Sequence, residues 1–193
     1  MQKLPSQQLK KLEKNLKSYL KKENFLVDIF LFGSALRSKE EPRDIDIILL
    51  FRDKDYKKIE DISYAITKIG KKLHLNLHVE SMVIDDIYRE KIYSTILHEG
   101  FSIKNGKFIA EMLGFVSYTL ITYLLKDKTA SEKVKFSYAL YGREKGTGFL
   151  SSIGGEEIGK GAIIVPIQKE ELAKEFFDQW KVSIKTQRII IIR

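Results

Sequence analysis

The chain has 193 residues, 44% of them apolar, a formal net charge of +8 and no cysteine. That length suffices for one large or two small domains. No apolar run reaches the length of a membrane span, and the start Met1-Gln2-Lys3-Leu4-Pro5 lacks the apolar core of a signal peptide. Without cysteine there is no disulfide framework and no thiolate metal site, so a soluble, cytoplasmic protein with no membrane partner is expected.

The first element is an amphipathic helix over about residues 6–22, with Leu9, Leu12, Leu16, Tyr19 and Leu20 on one face and lysines elsewhere. A strand follows at 26–32, and a short helix begins at Gly33. Residues 38–43 form a loop broken by Pro42, and a second, apolar strand runs from Asp44 to Phe51. Ile59, Ile62, Ile66, Ile69 and Leu73 repeat at helical spacing over 55–73. The third strand is 75–83, with Leu77 and Val79 on one side and Asn76, His78 and Glu80 on the other. Asp85-Asp86 caps a helix running to about His98, and Asn105-Gly106 marks a hairpin within 101–109.

The later part reads less clearly. Leu113, Val116, Leu120, Tyr123 and Leu124 predict an apolar helix to about Leu125. Thr129-Ala130-Ser131-Glu132 is a capping box for another helix, which Gly142 stops. Seven of the 12 glycines lie between Gly142 and Gly161. They read as turns or as a loop that follows a phosphate backbone, and none falls in a dinucleotide-binding pattern. A strand at 162–165, a helix lined by Leu172, Phe176 and Trp180, and a β-rich run 182–192 end the chain. Trp180 reads as a core residue. Two adjacent helices before a hairpin also admit a winged-helix arrangement. The expected division is a domain over 1–106 and a smaller α+β accessory domain over 107–193.

The chemistry concentrates around Gly33-Ser34 and Asp44-Ile45-Asp46. Alternate residues of a strand share a face, so the two aspartates lie side by side. Two like charges about 4 Å apart repel by roughly 4 kcal/mol at an effective dielectric near 20. A divalent cation relieves that repulsion, and hard oxygen ligands suit Mg²⁺. A Gly-Ser turn at a strand end admits a phosphate close to the backbone. Metal carboxylates beside a phosphate cradle point to phosphoryl or nucleotidyl transfer.

Gly33-Ser34, a nine-residue spacer and Asp44-Ile45-Asp46 resemble the signature of the DNA polymerase beta-like nucleotidyltransferase superfamily, minimal type, over about residues 25–104. The resemblance implies a small mixed β-sheet with helices on one face. It implies that Asp44 and Asp46, with Glu80 as third carboxylate, are the catalytic and metal-binding residues. Two Mg²⁺ ions would then be held there. Gly33, Ser34 and Arg37 would bind the triphosphate of an NTP. The family usually has aspartate where Glu80 stands. The implied activity moves an NMP from an NTP to an acceptor hydroxyl. The acceptor is open between nucleic acid, protein and small molecules, and the oligomeric state is not readable. The alternative is a catalytically silent fold used as a nucleic-acid-binding or regulatory module. The charge excess is spread evenly: residues 1–106 carry 20 basic and 16 acidic side chains, and 107–193 carry 14 and 10. It agrees with a polyanionic partner, and equally with lysine-rich solubility.

Overall fold

A computed structural model describes residues 6–36, 44–87, 92–144 and 146–192. The chain divides into two compact units, Met1–Gly114 and Phe115–Arg193. The division falls after Gly114, eight residues beyond the expected boundary, because a short helix follows the hairpin within the first unit.

The first unit runs α1 (Gln7–Leu20), β1 (Leu26–Phe32), β2 (Asp44–Phe51), α2 (Tyr56–Lys72), β3 (Asn76–Val83), α3 (Ile92–Glu99), β4 (Phe101–Ser102), β5 (Lys107–Phe108) and α4 (Ile109–Met112). Side-chain oxygens cap both long helices: Ser6 accepts from the Leu9 N–H and Asp55 from the Lys58 N–H. The sheet order is β3-β2-β1-β4-β5. β1 is antiparallel to β2, whereas β2 and β3 are parallel and joined through α2.

The two faces of this sheet are covered differently. Ile29, Leu31, Ile45, Ile47, Leu49 and Leu77 pack against the apolar stripes of α1 and α2. Phe30, Phe32, Ile48, Leu50 and Met82 point the other way, where Ile92 and Ile96 of α3 cover them. The face expected to be bare is thus half covered, and its polar part is confined to one end. After the 3₁₀ turn Ile84–Asp86, the helix expected from Asp85-Asp86 is described from Ile92 on; residues 88–91 lie outside the described residues.

One carboxylate in the first unit is structural. Asp28 on β1 is 6% exposed and accepts hydrogen bonds from the Ser102 hydroxyl at 2.6 Å and from the backbone N–H groups of Ile29 and Lys104. Asn105 donates to Ser102 in turn, through both its backbone and its side chain. This network ties the Asn105-Gly106 hairpin to the sheet. Burial raises the Asp28 pKa, and the bonds from Ser102, Lys104 and Ile29 oppose that rise without cancelling it.

The second unit runs β6 (Phe115–Tyr123), α5 (Ala130–Tyr141), α6 (Phe149–Ser152), β7 (Glu156–Gly159), β8 (Ala162–Pro166), α7 (Glu170–Gln179) and β9 (Ile184–Ile192). Its antiparallel sheet has the order β7-β8-β6-β9. The expected helix over 113–125 is instead β6, a central strand of this sheet. Its residues Phe-Val-Ser-Tyr-Thr-Leu-Ile-Thr-Tyr are mostly β-branched or aromatic, which favours a pleated strand flanked on both sides. The apolar residues at three- and four-residue spacing fall on both faces of the strand: Ile121 and Tyr123 are buried with Ser117 and Thr119 on one, while Val116 and Leu120 on the other are only partly buried. With that helix gone, the winged-helix arrangement falls too.

Phe136 and Leu140 of α5, Phe176 and Phe177 of α7, and Ile121, Ile163 and Val165 of the sheet form the second core. Trp180 packs edge-on against Phe136, with centroids 5.7 Å apart, as expected of a core residue. The capping box is formed: the Glu132 N–H donates to the Thr129 hydroxyl, and the Thr129 N–H donates to the Glu132 carboxylate. Buried Glu170 accepts from Thr119 and pairs with Lys174 at 2.6 Å, with Arg188 3.8 Å away. Burial opposes its charge, yet Lys174, Thr119 and Arg188 together hold its pKa below the ordinary value.

Candidate active site

The antiparallel pairing of β1 and β2 assembles the site. Their ladder ends at Phe32↔Asp46, so the chain leaves the sheet at Gly33 directly beside Asp46. Gly33 has φ +82°, a conformation that glycine adopts without steric cost. Its carbonyl accepts the Leu36 N–H, closing the 3₁₀ turn Ser34–Leu36. A Cβ at residue 33 would overlap Oδ2 of Asp46. The backbone therefore favours glycine here, and any side chain at this position would push the Asp46 carboxylate aside. Ser34 is exposed at the mouth of this turn.

Asp44 and Asp46 share one face at the start of β2, the first exposed and the second partly so. The next residues on that face, Ile48 and Leu50, are buried. The parallel register decides what the aspartates meet: Asp44↔Asn76 and Asp46↔His78. Asn76 donates to Asp44 Oδ1 at 2.6 Å, and His78 Nδ1 lies 3.7 Å from Asp46 Oδ1. Glu80 falls opposite Ile48, one pleat farther along β3. It lines a cleft of about 940 Å³ with Tyr56, Met82 and Thr95, where Lys54 and Asp86 also form a 2.9 Å ion pair. Among the described residues, no three His, Asp or Glu side chains converge as a metal-holding group.

The structure thus brings Gly33, Ser34, Asp44 and Asp46 to one end of the sheet and sets Glu80 apart along the same face. Arg37 and Arg43 lie outside the described residues. Asn76 and His78 are the neighbours that the sequence reading did not assign to the aspartates. Their signal was present, since both alternate with Leu77 on the polar side of β3. Only the register shows which of the three polar residues faces which aspartate.

A mixed sheet that carries two adjacent acids at a strand start, beside a Gly-Ser turn, defines a nucleotidyltransferase-type domain. Residues 14–106 match the model of the family Polymerase beta, Nucleotidyltransferase. A search of curated proteins finds no match. Among solved structures, the toxin–antitoxin MntA-HepT is 16% identical, with 54% of this chain and 83% of that chain covered and a TM-score of 0.33. A toxin–antitoxin structure with AMP-PNP is 19% identical, covering 47% and 71%, with a TM-score of 0.35. A tri-AMPylated Shewanella oneidensis HEPN toxin in complex with MNT antitoxin is 16% identical, covering 52% and 83%, with a TM-score of 0.30.

Proposed function

We propose that this protein transfers an NMP from an NTP to an acceptor hydroxyl, with Mg²⁺ held at Asp44 and Asp46. The observation that carries this reading is the placement of both aspartates beside the Gly33-Ser34 turn, within the residues that match the nucleotidyltransferase family model. The donor set fits Mg²⁺: two carboxylates, neither buried, on one face, with the space before Asp46 kept open by the missing Cβ of Gly33. When bound, the ion supplies charge neutralisation at the triphosphate and polarisation of the phosphorus that is attacked.

The chain's own residues do the rest. Gly33 lets a phosphate approach the backbone, and the Ser34 hydroxyl donates to a phosphate oxygen. Asn76 fixes Asp44 through its 2.6 Å hydrogen bond, leaving the second carboxylate oxygen for the ion. Glu80 lies on the same face, and its cleft is wide enough for an acceptor. There its carboxylate would take the proton of the attacking hydroxyl as the oxygen bonds to the α-phosphorus and pyrophosphate leaves.

A second reading keeps the fold without turnover, as a binding or regulatory module. The lack of a three-residue metal group among the described residues favours it. Incubation with Mg²⁺ and each α-labelled NTP, beside Asp44→Asn/Asp46→Asn as control, separates the two. Label transfer that disappears in the double variant supports the enzyme. Nucleotide or nucleic-acid binding by both proteins, with no transfer by either, supports the module.

A further inference from the structure

The second unit gathers positive charge at one end of its sheet. Antiparallel pairing brings the end of β6, the β7–β8 turn and the start of β9 together, through Thr122↔Ala162 and Tyr123↔Ile184. Two clefts open there, of about 950 and 650 Å³, and they share Tyr123, Leu124, Lys126, Lys160 and Gly161. Their walls carry six lysines, Lys126, Lys128, Lys133, Lys160, Lys181 and Lys185, against Asp127 and Glu157. None of the six makes a salt bridge within 4 Å to another described residue. Six of this unit's ten lysines thus converge on one concavity, at a cost in mutual repulsion.

We infer that this groove binds the phosphodiester backbone of a single-stranded nucleic acid, without reading its sequence. Lysines are point charges with rotatable donors and suit a string of phosphates. Carboxylate recognition favours the planar fork of arginine. Among the described residues no arginine lines the groove, and the unit's described arginines are engaged elsewhere, Arg143 over the Tyr138 ring and Arg188 beside Glu170. Leu124, 69% exposed, offers an apolar surface to a base or sugar at the junction of the two clefts. A lipid surface would call for a projecting apolar face, whereas here the charge lines a hollow. The inference concerns the second unit alone and does not depend on nucleotidyl transfer in the first.

Fluorescence anisotropy of the full chain tests it, with labelled single strands of about 12 nucleotides, as RNA and as DNA. Lys126→Ser/Lys160→Ser removes two charges from the shared wall, and Lys10→Ser/Lys135→Ser removes two exposed lysines that do not line it. The groove variant should lose about tenfold in affinity, and its log–log salt slope should fall by about 1.4, two phosphate contacts at roughly 0.7 each. The control should change less than about twofold. Thermal melts of both variants should match the parent, since all four lysines are exposed. A preference for RNA over DNA identifies ribose contacts, and equal binding identifies the backbone alone; either agrees with the inference. Three results overturn it: no binding by the parent at low salt, equal losses in both variants, or polyglutamate displacing the strand as well as unlabelled RNA does at equal charge. The last would assign the groove to an acidic protein.

Discussion

The open ends of the two sheets differ from their interiors in the same way. At the end of the first sheet, Asp44 and Asp46 face solvent, and among the described residues Asn76 and His78 are their side-chain neighbours. At the end of the second, six lysines line a hollow without salt bridges among the described residues. Asp28 and Glu170, buried in the first and the second unit, are carboxylates of the opposite kind. Asp28 is closed by three donors, and Glu170 by Lys174, Thr119 and Arg188. A charged group whose bonding capacity is filled by the protein holds the fold together. One whose capacity is left open is available to a ligand.

That contrast can be broken by removing one carboxylate of each kind. Asp44→Asn/Asp46→Asn should reduce label transfer from NTP by at least about a thousandfold, because the proposed Mg²⁺ would lose both carboxylates. The melting temperature should stay within a few degrees, since neither group is buried. A stability loss comparable to that of a core variant would place the pair among the structural carboxylates instead.

Asp28→Ala should act in the opposite sense. It strands the Ser102 hydroxyl and two backbone N–H groups, and should cost about 3 kcal/mol in urea unfolding. Hydrogen exchange should localise the loss to the first unit. The pH trend is fixed by the raised pKa of Asp28. The folded state holds that proton more tightly than the unfolded chain. Its contribution to stability therefore declines as pH rises from about 4 through the raised folded pKa. Asp28→Asn should remove this slope, whatever it costs in hydrogen bonding.

Glu170→Gln comes next, at about 2 kcal/mol, because it leaves Lys174 and Arg188 facing a neutral group. Here the linkage has the other sign. The lowered pKa of Glu170 stabilises the fold above about 4.3, and that contribution is lost as pH falls through the folded value. Acid titration followed by exchange in each unit should show opposite slopes from the two buried carboxylates. The smallest effect is Thr129→Ala, about 1 kcal/mol, from breaking the capping box at the start of α5.

Much of the first unit was legible from local pattern. β1 and β2 begin and end where the apolar runs do, and in the second unit the capping box of α5 lies where Thr129 and Glu132 place it. These features depend on residues within a few positions of one another. The Gly33-Ser34 and Asp44-Ile45-Asp46 halves of the site are equally local, and an eleven-residue connection between antiparallel strands, residues 33–43, suffices to bring them together. Residues 113–125 went astray because β6 puts Ser117 and Thr119 on its buried face and Val116 and Leu120 on the more open one, so the sequence shows no apolar–polar alternation to distinguish it from a helix.

What the chain alone determined, then, is the chemistry available: two acids on one face, a glycine where the backbone favours one, and a surplus of lysine in both halves. Tertiary structure alone decided the neighbours. The β2–β3 register set His78 rather than Glu80 beside Asp46, and the pairing around β6 drew distant lysines into one groove. The reason is that strand register is chosen by the packing of whole faces, so which polar residues meet is a consequence of what the apolar ones bury.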